Sequence, residues 1–161
     1  MRGGALPPAL LFAAFAFALS FAPRRIFAPS LVIVCIVAIA VSFFPVSAQW
    51  RDAVFLGCWT SACLAALSVH LPGGVGRRLA LAFAVNSGVW GGAVISASGV
   101  PTDLVKSLLL TLLCVPGAWL VATKRQIVIK VLAGWIVAVA VLAAGLQVTT
   151  PTPGYAPDHM D

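Results

Sequence analysis

Asn86, Trp90 and Pro116 are the residues whose types and placement could build a binding site inside a membrane. The amide and the indole offer hydrogen-bond donors. A proline lacks the N–H that would bond the carbonyl four residues earlier, here that of Leu112. In hydrocarbon such a carbonyl needs a partner or a wet cavity. Asn86 lies eight residues beyond Arg78 and Pro116 eight before Lys124, so an antiparallel helical pair would set them level. Trp90, one turn deeper, would come level with Leu112. The spacing predicts that the Trp90 indole or the Asn86 amide approaches the Leu112 carbonyl. Neighbouring helices interrupted by glycine or proline also mark transporter midplane sites, so the three residues form a candidate substrate-binding set.

Other chemistry is sparse. His70 could act as a base at a membrane surface, just before Pro72-Gly73-Gly74 and the Arg77-Arg78 pair. That glycine-rich turn lacks the Lys-Ser/Thr and the preceding strand of a phosphate loop, so it reads as a flexible turn facing anionic lipid. No charged side chain sits near the middle of an apolar run, which disfavours proton relays and intramembrane proteolysis. Cys35, Cys58, Cys63 and Cys114 all lie in apolar stretches and read as small packing residues. Asp158, His159 and Asp161 belong to a polar terminal segment expected to be solvated. No catalytic set, metal site or cofactor is expected.

The elements that must position these residues follow from composition. Of 161 residues, 61% are hydrophobic and 9% charged, and the mean hydropathy is +1.08. A soluble domain carries about 25% charged residues. So few charges cannot cover a soluble surface, and lipid must do so. The net charge of +6 therefore concerns orientation and lipid head groups, with no nucleic-acid partner expected.

Runs of roughly 20 apolar residues, enough to cross the hydrocarbon, recur between breakers. They predict an all-α, polytopic bundle of six spans, at about 5–22, 29–46, 53–71, 79–100, 104–122 and 127–146. Residues 1–146 form the membrane domain, and 147–161 a flexible polar tail. The first run could also pass for a secretory leader, but Pro23 and Arg24-Arg25 straight after it oppose cleavage. Arg24-Arg25, Arg77-Arg78 and Lys124-Arg125 fall in every second connection, giving three hairpins whose basic turns share one side. With Lys130 that side holds seven basic residues, against Arg2, Arg51 and Lys106 on the other. The excess places the basic turns in the cytoplasm and both termini outside. The rhythm of the hairpins follows from topology and gives no sign of a true internal repeat.

Two stripes of small residues stand out. Ala84, Gly88, Gly92 and Ser96 recur every four residues, and Gly57, Ser61 and Ala65 make a weaker version in the preceding span. Small residues let helix backbones approach closely where lipid supplies no hydrophobic drive. Close packing of the third span on the fourth is the expectation, with an oligomer contact as the alternative. Trp50 and Trp119 read as interface anchors, and Trp59 and Trp135 as packing residues.

These features predict a multi-pass protein of a bacterial-type inner membrane without catalytic function. It would act as an accessory or assembly subunit, with a membrane-protein partner or a second copy of itself beside the bilayer. The alternative is a small transporter or channel subunit for a neutral or weakly polar solute. Topology is directly testable. Reporter fusions after residue 77 and at the C-terminus should report opposite compartments, the first cytoplasmic, and a shared compartment would overturn the six-span reading.

Overall fold

The computed structural model describes residues 5–149 apart from Gly99, and every regular element among them is helical. The helices are α1 (Leu6–Ser20), α2 (Phe27–Ser42), α3 (Arg51–Ser68), α4 (Arg77–Ser98), α5 (Pro101–Leu109), α6 (Cys114–Ala122) and α7 (Ile127–Thr149). Short 3₁₀ turns, Arg24–Ile26 and Ala48–Trp50, lead into α2 and α3. A third 3₁₀ stretch, Leu110–Leu113, joins α5 and α6 into one rod.

Breakers end the helices where steric rules require. Prolines occupy the first turns of α1 and α5, where a missing N–H costs nothing. After α3 the chain turns through Gly73 and Gly74 at φ +95° and +77°. Gly74 also runs against the carbonyl of Phe21, which lies 2.9 Å from where a Cβ would stand. Lys124 closes α6 in the left-handed region at φ 59°, with Arg125 N–H returning to the Leu120 carbonyl at 2.8 Å. That is a Schellman cap in a position usually held by glycine.

The arrangement is organised around α1. Every residue from Leu11 to Ser20 is buried, so this helix has no exposed face. Around it stand α3, α4, the α5–α6 rod and α7, while α2 lies outside, packed mainly on α4. The outer helices bury a single strip each: Ser30, Val34 and Ala38 on α2, and Ile129, Ala133, Ile136 and Ala140 on α7. Their other faces are apolar and exposed, Val32, Ile36, Val131 and Leu142 among them.

Several sequence expectations change here. Four helical segments are long and apolar enough to cross a membrane: Arg24–Ser42, Arg77–Ser98, Pro101–Ala122 and Ile127–Thr149. The other two fall short for separate reasons. At 15 residues α1 is about 22 Å long, less than the hydrocarbon thickness of about 30 Å. In α3, Arg51, Asp52, Thr60 and Ser61 dilute the apolar content.

Of the three hairpins α3–α4 packs extensively as a pair, while α2 leaves α1 for α4, α6 barely meets α7, and α3 also contacts α1 and α7. The small-residue stripe of α4 follows the same logic. It meets α2 and not α3: Gly88 against Val34 and Val37, Gly92 against Ala38 and Val41. Contact between α3 and α4 runs instead through Trp90, which lies over Gly57. Trp135 is 70% exposed on the outer face of α7, because that helix buries only the opposite strip. Finally, α7 runs through Gln147, Val148 and Thr149, and the rest of the expected tail, Asp158, His159 and Asp161 included, lies outside the described residues, as does Arg2.

Contacts at glycine make the packing testable. Phe12 of α1 fills the space where Gly91 would carry a Cβ, whereas a Cβ on Gly134 would meet nothing within 4 Å. Gly91→Val should destabilise the bundle by about 1–3 kcal/mol through overpacking. Gly134→Val should change it by less than about 0.5 kcal/mol. Thermal unfolding in detergent distinguishes the two.

Candidate functional site

The Asn86, Trp90 and Pro116 set does not assemble. The Trp90 indole N–H donates to the Asn86 side-chain oxygen at 3.1 Å, one turn away on the same helix. This pair faces α3, with the ring seated on Gly57. Pro116 is exposed on α6, a helix that packs on α1 and not on α4. The predicted contact to Leu112 is therefore absent. Leu112 is 54% exposed, and its carbonyl meets the Cys114 N–H within its own rod. The 3₁₀ winding just ahead of Pro116 is the local adjustment that replaces an interhelical partner. Depth matching along a presumed hairpin failed because α1 occupies the space between the two helices.

The small residues are accounted for by packing. Ala84, Gly88 and Gly92 are buried, and the Ser96 hydroxyl donates to the Phe44 carbonyl at the end of α2. Ser61 is buried on α3, as is Ala65, which packs with Ala13, Ala14 and Phe17 of α1. Trp59 is buried beside Leu11 and Ala140, and Trp50 and Trp119 are exposed near helix ends.

Sequence reasoning passed over Ser20. Its buried hydroxyl donates to the Ala16 carbonyl at 2.8 Å and lies 3.4 Å from the Cys114 carbonyl across the α1–α6 contact. Gly117 leaves the space for it. The pairing of a late α1 serine with a glycine almost a hundred residues on has no local signature. Ser30, Ser87 and Trp59 each bury a polar atom without a hydrogen-bond partner.

The two ends of the bundle differ in charge. Arg24, Arg25, Arg77, Arg78, Lys124 and Arg125 are all exposed at one end, which the contacts of Gly74 with Phe21 and of Gly117 with Ser20 and Ile129 draw together. His70 is exposed at this end too, without a side-chain partner. Asp52 and Asp103 open α3 and α5 at the other end, and Asp103 makes no ion pair with Lys106. Among the described residues no three His, Cys, Asp or Glu side chains gather as a metal site would need.

At the end opposite the basic pairs, a groove of about 470 Å³ opens between Ile39, Ser42, Pro45, Ile95, Ser96 and Pro101. Its two hydroxyls are already committed to carbonyls, Ser42 to Ile39 at 2.7 Å and Ser96 to Phe44. No protein-family model matches the chain, and neither does any curated protein or solved structure.

Separation of the polar set has an energetic consequence. Asn86→Leu should cost about 0.6–1.7 kcal/mol, the scale of a hydrogen bond inside a membrane bundle. Combined with Pro116→Ala, its effect should be additive within about 0.5 kcal/mol, because the sites share no partner. Combined with Trp90→Phe it should be clearly less than additive. Unfolding of the two double mutants in micelles measures both couplings.

Proposed function

We propose that the chain is a non-catalytic accessory or assembly subunit of a larger membrane complex, held in a bacterial-type inner membrane with its basic turns cytoplasmic. The observation that carries this reading is the filled axis of the bundle. A carrier of this size would place its solute between helices near mid-depth. Here that position is taken by Leu11, Phe12, Phe15 and Leu19 of α1, each buried against its neighbours. The Trp90 indole N–H is spent on the Asn86 side-chain oxygen of its own helix. Outward, α2, the α5–α6 rod and α7 offer apolar faces to lipid or to a membrane partner.

Passage of a neutral solute has less support, because Asn86 and Trp90 pair beside α3 while Pro116 is exposed on α6, a helix that packs on α1. Two measurements on membranes test the proposal. Single cysteines at positions 86 and 87, in a background with the four native cysteines replaced, should resist a membrane-permeant maleimide whatever solutes are present. The native protein, extracted in mild detergent, should migrate on native gels in an assembly larger than one chain. Solute-dependent labelling at either position, together with a monomeric band, would overturn the accessory reading in favour of transport.

A further inference from the structure

Helices α2 and α4 run parallel, since Gly88 meets Val34 and Val37 while Gly92, one turn on, meets Ala38 and Val41. Their N-termini therefore lie side by side at the basic end. Between them is a cleft of about 400 Å³ lined by Pro23, Arg25, Ile26, Pro29, Arg77 and Leu81. Two features make this cleft electrostatically unbalanced. A helix N-terminus carries partial positive charge, so cations there are unfavourable and anions favourable. At the other end the first turns of α3 and α5 do carry acids, Asp52 beside Arg51 in α3 and Asp103 in α5. At the basic end it does the reverse, placing Arg24, Arg25, Arg77 and Arg78 at two adjacent N-termini with no acid in either first turn.

Among the described residues no side chain compensates this charge. Neither the 3₁₀ turn at Arg24 nor α2 has a side-chain cap. None of the four arginines makes an ion pair among the described residues. Guanidinium groups from two neighbouring segments, at the positive ends of two parallel helices, form a recognition set for a tetrahedral oxyanion.

We infer that the cleft between the starts of α2 and α4 binds a phosphate group, with Arg25 and Arg77 as its two side-chain ligands. In a bilayer the phosphate at this depth belongs to an anionic phospholipid, whose acyl chains would lie along the apolar outer surface of α2. The inference requires that the basic end lies at a membrane surface, and it holds whether or not the chain is an accessory subunit.

The test compares lipid retention by native mass spectrometry of the full chain, titrated in detergent with phosphatidylglycerol, with phosphatidylcholine, or with inorganic phosphate as competitor. One phosphatidylglycerol per chain should bind in preference to phosphatidylcholine. R25Q/R77Q should weaken it roughly thirtyfold, at about 1 kcal/mol for each juxtamembrane cation. R25K/R77K should restore part of the binding, since charge remains while the planar fork is lost. K124Q/R125Q, at the same end but outside the cleft, should leave it intact. Competition by millimolar inorganic phosphate would identify free phosphate as a second source of the same ligand group. Equal loss in K124Q/R125Q, or equal retention of phosphatidylcholine, would reduce the cleft to part of a diffuse basic surface and overturn the assignment. Unchanged thermal unfolding of R25Q/R77Q without lipid shows that lost binding is not lost folding.

Discussion

The complete burial of α1 is the constraint from which the rest of the structure follows. A helix enclosed on every side leaves its neighbours no room for ordinary side chains at every contact, so backbones must yield space. Gly91 yields to Phe12 and Gly117 to Ser20. The same device holds the second layer, where Gly88 and Gly92 receive the valines of α2 and Gly57 receives Trp90. In lipid this shape matching replaces the hydrophobic drive that water would supply, because tails and side chains are equally apolar. Affinity between the helices is thus concentrated at a few notches.

Burial of α1 also governs the polar groups. With the axis filled, those hydrogen-bonding side chains inside the bundle that find partners do so locally or across one tight contact, while Ser30, Ser87 and Trp59 find none. Trp90 turns to Asn86, Ser68 to the Ala65 carbonyl at 2.6 Å, and Ser20 reaches across to Cys114. None converges on a common space. Net charge is expressed instead at the helix ends, where lipid orientation and the helix dipole make opposite demands on arginine. The parallel starts of α2 and α4 set their arginines against the dipole.

Much of this was legible in the chain. The places where helices stop are written in Pro23, Pro72-Gly73-Gly74, Pro101 and Lys124-Arg125, since a missing N–H or a positive φ acts on its own few residues. The small-residue stripe of α4 was legible as a close contact, although its partner was not. Trp135 shows the limit from the other side. Its position in a long apolar run gives no hint of which face it occupies, because a lipid-facing strip and a buried strip have the same composition when both solvents are apolar.

Sequence by itself determined that the chain is helical and apolar, where its turns fall, and which ends of the helices carry the basic pairs. All of these depend on local sterics or on the charge of the residues themselves. Only the tertiary structure decided that the shortest run is the central one, that α2 belongs with α4, and that Asn86 and Pro116 never meet. Those outcomes rest on which knob fits which notch between distant segments, and hydropathy is blind to shape.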